Sequence, residues 1–368
     1  MLTGLRELIR QPSRFAPVGF ALTLLVVLLS VLGGFLDGLE LSQTGPYRAH
    51  DDRVIVFTED SENLIQRSQI AADDRAAVEA LSDVVEVGAL NLIGSTANAP
   101  GGEIQDIVFF GYDVGTAVIP APSADGAVVD KALADAIDLA AGDTLLIGAN
   151  AAEVTVGTIV DNLSQGAPTV WVPNDQWREI LVDGNPGALL PEGVNQALIL
   201  APDQSLTIPL DATHVEVLAE RISEFDGLNG LTATQAVESL PVVQQQSSTF
   251  QGIIGMTFIV TLLVVALFFA LITLERIGLY AVLKALGAGT KDLMAGLTAQ
   301  AVTVSVIALA AGFALSVGFV AILPAELPVR LVPARLGQTA VGVIVTALLG
   351  SLFSLRRVLR IDPAEAIG

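Results

Sequence analysis

The chain has 368 residues, of which 52% are hydrophobic and 15% are charged, and its mean hydropathy is +0.65. Soluble domains average about 25% charged residues, so this composition argues against an ordinary soluble domain and indicates a membrane protein. The net charge is −21, with 33 of the 39 acidic residues between Asp37 and Glu238, which argues against nucleic acid as a partner because such a surface repels phosphate. The absence of cysteine excludes a disulfide scaffold and a thiolate metal site.

Residues 1–15 are too short and too charged to span a bilayer. Wound as a helix, they place four aliphatic side chains on one face and Arg6, Arg10 and Arg14 on the neighbouring face. This pattern predicts an amphipathic helix in the membrane interface, with a solvated basic leader as the alternative. A cleaved signal peptide is disfavoured, because the apolar stretch that follows is too long and lacks a clear small-x-small cleavage site.

Four stretches are predicted to cross the membrane. A bilayer core of about 30 Å needs roughly 20 helical residues, and each stretch reaches this length without any Lys, Arg, Asp or Glu. The predicted transmembrane helices are residues 16–36, 253–274, 296–323 and 336–355.

Residues 37–252 are predicted to form an inserted domain of mixed α and β structure with helical stalks. Alternating, β-rich runs bounded by turn residues predict strands at 52–57, 105–113, 143–148, 153–161 and 168–173. Helical spacing of apolar residues predicts helices at 72–84 (capped by Asp73 or Asp74), 128–143 and 212–227. Residues 232–252 are predicted to form a helix continuous with the second span.

The Lys and Arg residues of the short flanks predict the orientation. Nine of them precede the first span, separate the second from the third, or follow the fourth. Both termini, the segment 275–295 and the tail 356–368 are therefore predicted to be cytoplasmic. The acidic domain and the loop 324–335 are predicted to be extracytoplasmic.

A catalytic constellation is not recognisable in the sequence. His50 and His214 are the only histidines and lie far apart. The HExxH, GxSxG, calcium-loop and GxxxxGK[ST] motifs are all missing. The chain is therefore predicted not to be an enzyme, and the acidic residues are interpreted as a solvated face.

The segment "ERIGLYAVLKALGAGTKDL", residues 275–293, is too apolar for an ordinary loop. Its apolar residues have near-helical spacing with charges beside them, and Gly287 and Gly289 follow as a helix end. An amphipathic helix at the cytoplasmic end of a span can dock into a groove on another protein. The alternative is a helix that lies in the membrane interface.

The motif "ER…LKALGAGTKDL", the closing "RRVLRIDPAEAIG" (356–368) and the order of one span, a large domain and three spans resemble the MacB and FtsX-like permeases of ABC transporters. The resemblance implies that this segment is a coupling helix and that its partner is a separate cytoplasmic ABC ATP-binding subunit, where ATP hydrolysis resides. Since one chain supplies four spans, it also implies a second permease in the transporter, either another copy in a homodimer, which is favoured, or a paralogue. The implied contacts with the ATPase are Tyr280, Leu283, Lys284, Leu286 and Gly287.

Shorter stretches resemble the HrtB-type heme exporters of this superfamily: "GFLDGLE" (34–40), "DDRVIVF" (51–57), "LIQRSQIA" (64–71) and "IDPAEAIG" (361–368). This resemblance implies a multi-pass protein of the bacterial plasma membrane that exports heme. Heme is then a transported ligand, and no cofactor is bound permanently.

Heme is a flat apolar ring with two carboxylates and an iron that accepts Met, His or Tyr ligands. Glu40 and Met256 lie near the same level of the first two predicted spans, so they are the candidate heme contacts, with Phe35 and Phe258 as apolar walls. The alternatives are an interfacial glutamate and a packing methionine. His50 is a second candidate ligand, or a surface histidine.

Two other functions fit the same family pattern. One is an FtsX-like transmembrane signal transmitter that controls an extracytoplasmic hydrolase, and the other is export of a lipid or an amphipathic drug. The acidic domain lacks an obvious exposed apolar hook in the sequence, which favours transport.

Overall fold

The computed structural model describes residues 12–121, 126–275, 289–324 and 327–359, with isolated positions 278 and 282. The chain forms two compact units. Met1–Leu39 and Gln246–Gly368 make up the helical unit, and Glu40–Gln245 make up the sheet unit.

The helical unit is built on four long apolar helices. Each is long and apolar enough to cross a membrane by length and composition, as the sequence predicts. Their bounds, numbered with the other helices in chain order, are α1 Pro12–Arg48, α7 Pro241–Glu275, α8 Thr290–Val320 and α9 Pro333–Leu359. The boundary between the units falls within α1 and α7.

Small residues let these helices approach closely. A side chain at Gly312 of α8 would overlap Val26 of α1, and one at Gly350 of α9 would meet Val265 of α7. Close backbone approach at glycine is typical of helix pairs in membranes, where van der Waals packing replaces the hydrophobic effect. One cluster of buried side chains joins α1, α7 and α8 through Phe15, Val18, Leu22, Val265, Phe269, Ile272, Leu297, Ala301, Val304 and Ala308.

The sheet unit contains nine strands and five helices among the described residues. The strands are β1 Val54–Thr58, β2 Val84–Asn98, β3 Gln105–Tyr112, β4 Ala127–Asp130, β5 Thr144–Ile147, β6 Ala152–Val160, β7 Thr169–Val172, β8 Ala197–Pro202 and β9 Leu228–Thr232. The helices are α2 Ala72–Glu79, α3 Lys131–Ile137, α4 Asn174–Gly184, α5 His214–Ile222 and α6 Ala233–Ser239.

Six strands close into a ring in the order β2, β3, β7, β4, β6, β5, because β2 pairs with both β3 and β5. The first part of β2 also pairs with β8, which continues the sheet through β1 to β9. The pairs β3–β7 and β4–β6 are parallel, and the others are antiparallel. The fold class is thus confirmed as four membrane helices with a mixed α/β domain inserted between the first two.

Two aromatic side chains anchor one core of this sheet. Phe110 on β3 and Trp171 on β7 are fully buried, and their rings stack with centroids 4.0 Å apart and planes 5° apart. On another part of the sheet, β1 and β8 pack against α5 through Val54, Val56, Leu198, Leu200, Leu218 and Ile222.

Three local predictions were wrong. Residues 128–143 begin as strand β4 rather than as helix, because Asp130 ends the strand and caps α3 by accepting a hydrogen bond from the Ala132 amide. Neither Asp73 nor Asp74 caps α2, since both lie inside its first turn. The predicted helix 232–252 is interrupted at Leu240, whose extended backbone precedes Pro241 and separates α6 from α7.

Candidate functional site

Met256 lies on an exposed apolar face of α7. Its side chain is 61% exposed within the chain, and the same face carries Leu263 and Leu267, each 62% exposed. The spacing of seven and then four residues aligns them along one side of the helix. This face can contact lipid acyl chains, a second protein or a flat apolar ligand.

An exposed apolar face also runs along α1. Phe20, Leu24 and Leu28 follow each other at intervals of four residues and are at least half exposed. The opposite face of α1 is buried against α7 and α8. The first two membrane helices therefore each present apolar surface that no other described residue of the chain covers.

Phe35 and Phe258, the predicted apolar walls, have partners inside the helical unit. The Phe35 ring lies 5.8 Å from that of Phe250 on α7. Phe258 is packed so closely against Gly342 of α9 that a side chain at this glycine would overlap its ring. Both rings are half-buried.

Glu40 belongs to the sheet unit, and its charge is balanced by an arginine on the same helix. Its carboxylate forms an ion pair with Arg48, two turns further along α1, and its side chain is 23% exposed. The Arg48 Nε atom also donates a hydrogen bond to Thr44 Oγ1 at 3.0 Å. Glu40 can therefore contact a ligand only by sharing its carboxylate with Arg48 or by releasing it.

Asp37 on α1 is paired with Arg335 in the first turn of α9. The Arg335 Nη2 and Nε atoms lie 2.6 Å and 3.1 Å from Asp37 Oδ1, and only 12% of the aspartate side chain is exposed. Such a two-pronged contact is the strongest geometry for an arginine–carboxylate pair. This pair was not predicted from the sequence, since no local pattern relates two residues so far apart.

His50 is a core residue rather than a surface histidine. It is fully buried, its Nδ1 atom lies 2.6 Å from the Pro46 carbonyl oxygen and its Nε2 atom lies 3.0 Å from the Tyr112 hydroxyl. Burial lowers the pKa of His50 from 6.5 to about 4, against the opposing effect of the Pro46 hydrogen bond and of Asp52. With both ring nitrogens engaged, His50 is not positioned to bind iron in this conformation.

The five predicted ATPase contacts lie outside the described residues, namely Tyr280, Leu283, Lys284, Leu286 and Gly287. Most of the predicted interfacial helix 1–15 lies outside them as well. In the described part of the chain, no group of three or more histidine and acidic residues is placed to hold a metal ion.

Comparison with known proteins finds a family match for part of the helical unit. Residues 252–363 match the model of the FtsX-like permease C-terminal family. A protein of Staphylococcus haemolyticus named as a putative hemin transport system permease, HrtB, is 26% identical over 40% of this chain and 42% of its own length. An uncharacterized ABC transporter permease of Mycobacterium bovis is 39% identical over 30% of this chain and 31% of its own length. The matches thus span less than half of these curated relatives.

Two solved structures are similar to about half of the chain. The periplasmic region of MacB from Actinobacillus actinomycetemcomitans is 10% identical, covering 51% of this chain and 92% of that structure, with a TM-score of 0.36. The extracellular domain of the transporter YknZ from Gram-positive bacteria is 13% identical, covering 49% and 99%, with a TM-score of 0.32. The resemblance expected from the sequence motifs is confirmed by the family and relative matches: residues 252–363 match the FtsX-like permease C-terminal family, and the chain is similar to the HrtB proteins.

Proposed function

We propose that this chain is the permease subunit of an ABC-type efflux transporter that exports heme with energy from a separate cytoplasmic ATP-binding subunit. The observation that carries the proposal is the FtsX-like permease domain in a chain similar to HrtB proteins, whose name assigns them to hemin transport. The exposed apolar faces of α1 and α7 are surfaces suited to a flat apolar ring.

The proposed arrangement places two copies of the permease in one transporter. The segment 275–295 contacts the ATP-binding subunit, and the basic flanks of the spans face the cytoplasm. The sheet unit then lies outside the plasma membrane. This orientation rests on the distribution of Lys and Arg, and the contact residues rest on the family resemblance.

Met256 and Glu40 are proposed as heme contacts, each for its own reason. The Met256 thioether is an iron ligand of moderate strength, exposed on α7. Glu40 provides a carboxylate oxygen at the end of the first predicted span, where an ionisable group is a candidate for function. A weakly held iron suits a carrier that must release its cargo.

A hemin titration of the full-length permease with its ATPase in lipid nanodiscs tests this function. We expect a saturable shift of the Soret band at a fixed ratio of heme to permease, together with a change in ATP turnover. Nonspecific partitioning with unchanged turnover would refute heme as the cargo.

Matched variants locate the contacts. We expect Met256→Ala to weaken heme binding, whereas Leu263→Ala, equally exposed on the same face of α7, leaves it unchanged. Glu40→Gln is expected to weaken binding while Arg48→Gln, which frees the Glu40 carboxylate, preserves it. If Met256→Ala and Leu263→Ala change heme binding equally, Met256 is not a heme contact. If Glu40→Gln and Arg48→Gln change it equally, Glu40 is not a heme contact.

A second candidate function gains support from one exposed segment. Leu206 and Leu210 lie between β8 and α5, and their side chains are 44% exposed and fully exposed, respectively. These two leucines form an exposed apolar hook on the sheet unit, which was not predicted from the sequence. An FtsX-like signal transmitter would use such a hook to hold an extracytoplasmic hydrolase. If this is its role, Leu206→Ser with Leu210→Ser abolishes hydrolase recruitment, whereas heme export by the first mechanism is unaffected.

A further inference from the structure

One face of α1 carries an unusual set of residues where the first predicted span ends. Gly33, Gly34, Asp37 and Gly38 have the spacing i, i+1, i+4 and i+5, which places them together on one side of the helix. The three glycines leave the backbone of this face without side chains. The remaining residue, Asp37, places an ionisable side chain at the end of the apolar stretch.

The segment 327–335 lies directly on this face. The Arg330 amide donates a hydrogen bond to the Gly34 carbonyl oxygen at 2.8 Å. A side chain added at Gly38 would overlap the Pro328 carbonyl group, and one added at Gly34 would come within 3.0 Å of the Arg330 carbonyl oxygen. The approach is therefore backbone to backbone, and only glycine permits it.

The Asp37–Arg335 ion pair closes the same contact. The aliphatic part of Arg335 crosses Gly33, where an added Cβ would lie 3.1 Å from Arg335 Cγ, and its guanidinium group holds Asp37 Oδ1 through two nitrogens. Since the carboxylate is 12% exposed, separation would leave a charge that is largely removed from water without its counter-ion. The glycine face, the backbone hydrogen bond and the ion pair all favour a closed contact.

We propose that Asp37 and Arg335 are positioning residues that clasp segment 327–335 and the first turn of α9 to α1, so that this part of α1 and the beginning of α9 move as one body throughout transport. The inference rests on the proposed function, because it assigns the pair a role in the transport cycle. Motion that opens a path for cargo then occurs at other helix contacts.

Cysteine cross-linking tests whether the clasp stays closed. The chain has no cysteine of its own, so Gly33→Cys with Arg335→Cys introduces a single defined pair. The cysteine sulfur takes the place of Arg335 Cγ, at a distance from the Gly33 Cβ position that suits a disulfide. Once formed, the disulfide holds the contact closed in place of the ion pair, and we expect the full-length permease that carries it to turn over ATP with its ATPase in nanodiscs at least as fast as the reduced cysteine pair does. Loss of ATP turnover on oxidation that reduction reverses would overturn the proposal.

The ratio of ATP turnover with heme to turnover without heme tests the positioning role. We expect Asp37→Asn and Arg335→Gln to lower this ratio at least about fivefold while the amount of folded complex is retained. The exchanged pair, Asp37→Arg with Arg335→Asp, is expected to restore it, as is oxidation of the cysteine pair. Arg14→Gln serves as the control, because Arg14 meets Glu275 of α7 at 3.9 Å in an exposed ion pair.

The outcomes separate the two proposals. If wild-type turnover does not respond to heme, the proposed cargo fails, and the ATP turnover of the oxidised cysteine pair still decides whether the cycle needs the clasp to open. If heme changes the ATP turnover of the wild type and of the neutral variants equally, the clasp has no positioning role. The same conclusion follows if oxidation of the cysteine pair abolishes a response to heme that the reduced pair retains.

Discussion

Acidification should destabilise the sheet unit through His50. A neutral imidazole has one donor and one acceptor nitrogen, so the ring donates to the Pro46 carbonyl oxygen and accepts from the Tyr112 hydroxyl. A proton on Nε2 would remove the acceptor that Tyr112 uses and place a charge in a fully buried position.

The magnitude follows from the pKa of His50, which burial lowers from 6.5 to about 4. Between these values the unfolded chain binds a proton that the folded chain does not, so the free energy of unfolding falls as the pH falls from 6.5 to 4. At 1.36 kcal/mol per pKa unit, the loss amounts to about 3 kcal/mol. Among charged neighbours, Asp52 opposes this shift of the pKa and Arg53 adds to it.

Tryptophan fluorescence reports on this unit in the full-length protein. Trp171 and Trp177 are the only tryptophans, and both are fully buried in the sheet unit. Urea unfolding at pH 7 and at pH 4 gives the pH dependence of stability for the wild type, His50→Gln and His214→Gln. The last variant is the control, because His214 is the only other histidine and is only partly buried.

We expect the loss between the two pH values to be about 3 kcal/mol smaller in His50→Gln than in the wild type and in His214→Gln. Burial raises the pKa of Asp113 and of Asp130, which works in the opposite direction, but this contribution is common to all three proteins and cancels in the comparison. Identical pH dependence in wild type and His50→Gln would refute the reasoning.

Two further predictions concern packing. Gly38→Ala places a methyl group against the Pro328 backbone and is expected to cost about 1–3 kcal/mol, whereas Gly255→Ala, with open space around it, is expected to be neutral; thermal unfolding followed by circular dichroism compares them. Phe110→Ala removes the ring stacked on Trp171 and is expected to cost about 3–5 kcal/mol in urea unfolding, against no measurable loss for the exposed Val85→Ala.

The four membrane helices and the mixed α/β domain could be predicted because their signals are local. A run of twenty apolar residues without charge has few alternatives to a membrane helix, and runs such as 105–113 and 153–161 carry the alternation and turn residues of strands. Strand β2 was missed because Gly88 and Gly94 interrupt its pattern and its fifteen residues have no single buried face.

The closed ring of strands and the clasp could not be predicted from local patterns. Ring closure depends on pairing of β2 with both β3 and β5, which the strand patterns do not specify. Asp37 and Arg335 are 298 residues apart, and in the sequence each is simply a charged residue next to a predicted span, with no sign of its partner. Glu40 reads the same way in the sequence, and only the structure reveals its ion pair with Arg48.

Heme transport by reconstituted protein tests the central claim most directly. The full-length permease and its ATPase are placed in liposomes with the ATP-binding subunit facing outward, heme is supplied in the bilayer, and a heme-binding protein is enclosed inside. We expect ATP-dependent accumulation of heme on the enclosed protein, reduced by Met256→Ala and not by Leu263→Ala. Accumulation that is the same with ATP and without ATP would contradict the claim that this permease exports heme.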